Sequence, residues 1–294
     1  MIKVVMVDLD GTLLDEEKRI SKRTVATIKE FQDKGGLFVV NTGRGYSTAS
    51  KIVKEAGIRC DYICLSGAGI YDEQGNCIKS DCMTIEEILL VRELERKYGL
   101  GVNYLTSEGA FSECSREWAE SYYLQEEKKN AARLGQQICE KNALQKYQGI
   151  LNYIKYNSDI EKVISDNIPI YKMVIMGTDC EQYYKAREEF QRCSCFKVAI
   201  TSEYSMEINA ERVDKGKAAI DYIKSKGYEM DEVMAIGDSD NDYPMLILPF
   251  GKTVAMENGD MEIKKICTDI TCSNAEDGVA KAMEKWCMDR KLIK

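Results

Sequence analysis

Two carboxylates separated by a single residue, Asp8 and Asp10, stand with Gly11 and Thr12 at the end of an apolar run over residues 2–7. Acids and a glycine at the exit of a buried strand make a poor core and a good site for Mg²⁺ or phosphate. The same residues are also ordinary turn formers, so a strand followed by a solvated turn is the alternative reading. Three further places in the chain carry groups of the same kind. Thr42, Gly43 and Arg44 follow a second apolar run at 37–40, Lys215 opens a helical stretch, and Asp238, Asp240, Asn241 and Asp242 follow a third run at 233–236. These residue types suit a site for an anionic phosphate and a metal ion, where the cation and a lysine would screen the repulsion between the carboxylates and the phosphate.

Other chemistries are excluded by composition. The chain has no histidine, so any general acid or base must be Asp, Glu, Lys, Tyr or Cys, and neither a Ser-His-Asp nor a Cys-His apparatus can be built within it. Twelve cysteines are scattered without a Cys-x-x-Cys spacing, which makes a structural zinc site unexpected and reduced thiols the natural reading. The acids at 238–242 also fail as a calcium loop, because its sixth and twelfth positions would be Tyr243 and Pro249 rather than glycine and an acid.

The elements that must position these groups follow from periodicity. Ser21 can cap a helix carrying Val25, Ile28 and Phe31, which ends before Gly35 and Gly36. Strand 37–40, a helix near 47–56 and a third apolar run at 62–65 follow. Strand, helix, strand, helix, strand with continuously apolar strands predicts a parallel sheet covered on both faces, with its active face at the strands' carboxyl ends. The C-terminal third repeats this grammar, with a helix from about 216 to 226, strands at 233–236 and 253–256, and a closing helix from about 278 to 288. The middle differs. Thr84 and Glu87 form a capping box for a helix through Tyr98, with Gly99 at its C-terminal cap. Beyond it lie short strands at 171–176, 197–200 and 206–208 and a helix at about 181–192. We expect an α/β core domain from 1–81 and 210–294, interrupted by an α+β module at 82–209.

At 294 residues, 44% hydrophobic and 31% charged, the chain has the composition of a globular protein. No apolar stretch approaches membrane-spanning length and no secretory signal opens it, so we expect a cytoplasmic protein with no membrane partner. A net charge of −8 argues against nucleic acid as the main partner. No obligate protein partner is evident, and a small molecule is the expected one.

The ordered set of motifs resembles the haloacid dehalogenase superfamily of phosphohydrolases, in its Cof-like subfamily with a type IIB cap, over the whole chain. Asp8-Leu9-Asp10-Gly11-Thr12-Leu13-Leu14 matches the first motif, Thr42-Gly43-Arg44 the second, Lys215-Gly216 the third and Gly237-Asp238-Ser239-Asp240-Asn241-Asp242 the fourth. The resemblance implies a Rossmann-like core with an inserted cap, and a Mg²⁺-dependent phosphomonoesterase that works through an aspartyl phosphate. It makes Asp8 the nucleophile and a metal ligand. Asp10 becomes the proton shuttle, its backbone carbonyl on the metal, and Asp238 the second carboxylate ligand. Asp242 would orient metal waters or Lys215. Backbone groups of Leu9 and Gly11, with Thr42, Gly43, Arg44, Lys215 and Asn241, would hold the phosphoryl oxygens. Arg44 is equally a candidate for a surface salt bridge. Ser66 stands where the family usually carries asparagine, so no substrate contact is transferred to it. A phosphomutase would use the same intermediate, and a phosphorelay receiver or a phospho-ligand-binding protein would place similar groups at sheet tips. The module at 82–209 would choose the substrate, and it holds eleven of the seventeen tyrosines; none is singled out as a contact.

Overall fold

The computed structural model describes residues 1–133, 135 and 138–287, and the chain divides into two compact units. The first comprises Met1–Asp81 and the described residues from Val213 onward, and the second is Cys82–Arg212. The second boundary falls beyond residue 209 because the last strand of the inserted unit runs to Ala210, and Arg212 donates to Glu87 (2.7 Å) and to the Cys82 carbonyl within that unit.

The first unit is built on an eight-stranded sheet among the described residues. With elements numbered along the chain, its strands are β1 (Val4–Val7), β2 (Leu37–Asn41), β3 (Asp61–Cys64), β4 (Gly69–Tyr71), β5 (Cys77–Ser80), β12 (Val233–Gly237), β13 (Lys252–Ala255) and β14 (Asp269–Ile270). Their order is β14-β13-β12-β1-β2-β3-β4-β5. All pairings from β14 to β3 are parallel, and β3-β4-β5 is an antiparallel extension. Every residue of β1 and β12 is buried, as strands covered on both faces must be. The order reverses between β1 and β12, and the carboxyl ends of these two strands deliver Asp8 and Asp238 side by side. A crevice at such a reversal is where open α/β sheets bind ligands.

Helix α1 (Lys22–Asp33) begins where the Ser21 hydroxyl accepts from the Thr24 amide at 3.1 Å, and α2 (Tyr46–Glu55) follows β2. Helix α9 (Lys215–Ser225) starts one residue earlier than the periodicity predicts, because Asp214 caps it by accepting from the Lys217 amide at 2.6 Å. The chain continues through α10 (Tyr243–Leu246), α11 (Met261–Ile266) and α12 (Gly278–Trp286). Met288, the expected end of the last helix, lies outside the described residues. The β4-β5 hairpin is not anticipated by the apolar pattern, since β5 is exposed throughout. Its turn has a local cause: Asp72 accepts from the amides of Gly75 and Asn76, both at 2.8 Å.

The second unit has a six-stranded sheet among the described residues. Its strands, in the order β10-β11-β9-β6-β7-β8, are β10 (Phe196–Ser202), β11 (Ser205–Ala210), β9 (Ile170–Met176), β6 (Gly101–Thr106), β7 (Gly109–Ser112) and β8 (Ile154–Lys155). Its helices are α3 (Ile85–Tyr98), α4 (Arg116–Arg133), α5 (Glu140–Gln145), α6 (Gln148–Tyr153), α7 (Ile160–Ser165) and α8 (Cys180–Arg192). The capping box at Thr84 and the left-handed Gly99 bound α3 as expected. Sequence periodicity misses the β6-β7 hairpin because its polar Asn103, Thr106 and Ser112 interrupt the apolar signal. Val102, Tyr104, Met173, Ile175, Met206 and Ile208 join a buried cluster with Ile88 and Val91 of α3 and Tyr183 and Phe190 of α8. Period-2 alternation puts the cross-strand row Asn103, Val174 and Glu207 on the opposite face. Among the described residues no helix is long and apolar enough to cross a membrane.

Candidate active site

Asp8 is the first residue after β1, and its amide still pairs with the Ile236 carbonyl of β12 at 3.1 Å. The chain then tightens, with the Leu13 amide on the Asp8 carbonyl (3.2 Å) and the Leu14 amide on that of Leu9 (2.9 Å). Gly11 turns the loop at φ +80°, and a Cβ there would lie 2.4 Å from Asp238 Oδ2. No other residue tolerates both the backbone conformation and the contact. The next residue, Thr12, donates to Asp238 Oδ1 at 2.6 Å. The first and fourth motifs are therefore in direct contact.

Lys215 joins them. Its ammonium, almost fully buried, donates to Asp8 Oδ1 at 2.6 Å, to Asp242 Oδ1 at 2.7 Å and to Asn241 Oδ1 at 3.2 Å. Burial alone would lower the Lys215 pKa, yet the carboxylates of Asp242 and Asp8 outweigh it and raise it, so the lysine stays charged. Burial pushes the Asp8 carboxyl up; Lys215 pulls it down, while Asp242 and Asp238 push in the same direction as burial. The net direction is upward, so the ammonium only partly offsets burial, and a further cation beside Asp8 would favour its ionised form. Asp242 is fully engaged: its Oδ2 accepts from the amides of Asp238 (3.0 Å) and Ser239 (3.2 Å). It ties the loop to the lysine.

Carboxylate oxygens of Asp8, Asp238 and Asp242 lie within 4.8 Å of one another. With Asp242 used up and Oδ1 of Asp8 and of Asp238 taken by Lys215 and Thr12, the cluster retains one oxygen on each of Asp8 and Asp238. A hard oxygen set with no thiol or imidazole fits a divalent cation such as Mg²⁺ or Ca²⁺. Burial pushes the Asp238 carboxyl up to about 6 against the pull of the Thr12 hydrogen bond, so the carboxylate is deprotonated and ready to ligate near neutral pH.

Asp10 has separate partners. Arg44 grips it through Nε to Oδ2 and Nη2 to Oδ1, both at 2.6 Å, and Lys18 Nζ donates to Oδ1 at 2.9 Å. Burial would raise this carboxyl, but hydrogen bonds from Arg44 and Lys18 outweigh it and hold it at about 2. In this arrangement Asp10 can accept a proton but has none to give. Arg44, the ambiguous residue of the second motif, forms a bidentate ion pair with the first. Thr42 is buried at the tip of β2, its hydroxyl accepting from the Arg44 amide at 3.2 Å. Gly43 lies between them, and Leu9 is buried, its carbonyl accepting from the Leu14 amide.

Sequence reasoning overlooks several supports. Thr12 lies inside the first motif, so its contact with Asp238 could have been sought. Asn41, fully buried beside Thr42, donates to the Lys215 carbonyl at 3.1 Å and leaves its own Oδ1 without a partner. Asn258 donates to the Gly11 carbonyl at 2.8 Å and, through its Oδ1, receives the Asn274 amide at 2.9 Å. Nothing in the local sequence marks Lys18 or Asn258, because their partners are remote or across a turn. Ser66 adopts φ 60°, the left-handed region where asparagine is favoured over most residues.

A mostly parallel sheet with acids and a buried lysine gathered at the carboxyl ends of its parallel strands defines a class of hydrolase. A model of the haloacid dehalogenase-like hydrolases matches residues 5–283, and the chain belongs to this family as one of its Cof-like members. Among similar proteins, 5-amino-6-(5-phospho-D-ribitylamino)uracil phosphatase YcsE of Bacillus subtilis is 26% identical, over 97% of this chain and 96% of its own. A putative phosphatase of Streptococcus pyogenes, M6_Spy0533, is 28% identical over 98% and 99%. The fold matches that of a haloacid dehalogenase-like hydrolase from B. subtilis with a TM-score of 0.80 at 24% identity, covering 97% of this chain and 100% of the other. It also matches the subclass IIB sugar phosphatase BT4131 with a TM-score of 0.73 at 20% identity, covering 98% and 100%.

Proposed function

We propose that this phosphatase is a Mg²⁺-dependent phosphomonoesterase of small phosphorylated metabolites, sugar phosphates among them, and that it works in the cytoplasm through an aspartyl phosphate on Asp8. The observation that supports this best is the buried Asp8 carboxylate held by Lys215 beside Asp238. Asp8, Asp238 and the Asp10 main-chain carbonyl would hold the Mg²⁺. Bound there, the ion would neutralise charge on the phosphoryl group and on the attacking carboxylate.

In the first step a carboxylate oxygen of Asp8 bonds to phosphorus, the bond from phosphorus to the ester oxygen breaks, and the leaving alkoxide takes a proton from Asp10. In the second, Asp10 takes a proton from water as that water attacks phosphorus, and the bond to Asp8 breaks to release phosphate. The Asp10 ion pair bears on the first step. To donate, Asp10 must acquire a proton and part from Arg44, whose guanidinium is then available to the phosphoryl oxygens. Lys215, Thr42, Asn241 and the backbone of Leu9, Gly11 and Gly43 surround the rest of that charge. Asp242 holds Lys215 and the loop carrying Asp238. The unit at 82–212 acts as the cap that recognises the leaving group.

The test is phosphate release from a panel of phosphorylated metabolites with Mg²⁺, with Asp8→Asn and EDTA as controls. The activity in the name of B. subtilis YcsE places 5-amino-6-(5-phospho-D-ribitylamino)uracil in that panel beside the sugar phosphates. Release that survives Asp8→Asn removes the nucleophile assignment, and release unaffected by EDTA removes the metal. Isomerised sugar phosphate without free phosphate would mean a phosphomutase, and stable phosphoprotein without turnover a receiver.

A further inference from the structure

The inserted unit contains a cavity of about 430 Å³, within the range of about 300–1,000 Å³ typical of small-molecule sites. All of its lining residues lie between Asn103 and Glu207, so it belongs wholly to that unit. Its floor is the row Asn103, Val174 and Glu207, on the sheet face opposite the cluster under α3 and α8. Tyr122, Tyr123 and Glu126 of α4 line it, with Tyr147 and Tyr153 from the α6 segment. The aromatic wall is already ordered: Tyr123 stacks on Tyr147 with ring centroids 4.3 Å apart, and Tyr122 meets Tyr123 edge-on at 5.2 Å.

The polar groups of this cavity are acceptors. No lysine or arginine lines it, whereas two glutamates do. Glu207 is neutralised by an ion pair with the buried Lys172, but among the described residues Glu126 has no ion-pair partner. Asn103 is 95% buried, since only 5% of it is exposed, and its Oδ1 has no hydrogen-bond partner. A buried acceptor left unpaired costs about 1–3 kcal/mol, which a ligand donor would recover. A phosphate or carboxylate would meet the Glu126 carboxylate here, while the nearby Lys172 ammonium is already committed to Glu207. A flat ring carrying N–H groups would meet tyrosine faces, an unpaired carboxylate and an unpaired amide oxygen.

We propose that this cavity binds a planar, amine-bearing organic ring, one face stacked on the Tyr123–Tyr147 pair, its amine toward Glu126 and an N–H given to Asn103. The ring is either the leaving group of the substrate or a free effector. Because binding of an unphosphorylated ring requires no turnover, the proposal stands or falls separately from the catalytic assignment.

The experiment is calorimetric titration of the full-length protein with 2,4-diaminopyrimidine, with ribose as the ring-free control. Saturable binding of the diamine is expected, with none of ribose. Glu126→Gln should weaken the diamine about tenfold at an unchanged melting temperature, and Tyr123→Leu should weaken it independently of charge. Absence of saturable binding at millimolar concentration, or unaltered affinity in a folded Glu126→Gln protein, overturns the proposal. The source of the ring is read from adenine and AMP in the Asp8→Asn background. Tighter binding of AMP, weakened by Glu126→Gln, supports a leaving-group site, and equal binding of the two supports an effector site.

Discussion

Each unit buries a large cation within a cluster of acids, and these two clusters serve different ends. In the first unit Lys215 meets Asp8 and Asp242 at 2.6 and 2.7 Å. In the second, Arg92, equally buried, donates to Glu113 at 3.0 Å, Glu161 at 2.8 Å and the Tyr104 hydroxyl at 3.3 Å. Around Arg92 the acids are spent on closing the structure: Glu161 also takes Arg96, and Glu95 takes the Tyr104 hydroxyl at 2.5 Å. Around Lys215 the acids outnumber the cation at one point, and oxygens of Asp8 and Asp238 are left over where two parallel strands end. A buried cation is therefore no mark of a site by itself. The mark is the unspent group beside it, and the same reasoning draws attention to Glu126 and Asn103 in the second unit.

The sharpest way to break this contrast is Asp8→Asn. It should lower phosphate release by about four orders of magnitude or more while the protein stays folded, and a loss of less than tenfold would remove Asp8 from the chemistry. Gly11→Ala comes next, because its Cβ would strike Asp238 at 2.4 Å. Activity should fall about a hundredfold, with a higher Mg²⁺ requirement in a metal titration.

The second cluster is tested by pH. Burial raises the Glu95 carboxyl from 4.5 to about 7 despite its hydrogen bond from Tyr104. The folded unit therefore binds this proton more tightly than the unfolded chain. The contribution is fully present below about pH 4.5 and is lost as pH rises through about 7, at most about 3 kcal/mol in total. Urea denaturation across that window should show the slope, and Glu95→Gln should flatten it. At the active site, a carboxyl on Asp238 raised to about 6 predicts proton competition with the metal. The Mg²⁺ concentration for half-maximal rate should climb about tenfold per pH unit below about 6, and a flat dependence would take Asp238 off the metal. The smallest effect is expected at Gly99, which has φ +61° but nothing within 4 Å of an added Cβ. Gly99→Ala should cost about 1 kcal/mol in thermal denaturation and leave activity unchanged.

Legibility in the sequence followed from how local each feature is. Strands β1, β2 and β12 are apolar throughout and end in abrupt polar groups, so the parallel sheet and its tips at Asp8, Thr42 and Asp238 could be read directly. The box at Thr84, the cap at Ser21 and the turn at Gly99 are equally local. The hairpins β4-β5 and β6-β7 were less legible, because an exposed edge strand and a strand carrying Asn103 lack the apolar signal of a buried one.

By itself the sequence determined which groups stand at the strand ends, since a strand's burial and its terminating residues are properties of consecutive positions. Only the tertiary structure decided how those groups pair. Arg44 with Asp10, Thr12 with Asp238, Asn258 with Gly11 and the open acceptors around Tyr123 depend on which side chains, far apart in the chain, arrive within 3 Å or fail to. Hydrogen bonds and close ion pairs form only at such short range, and no spacing along the chain encodes it.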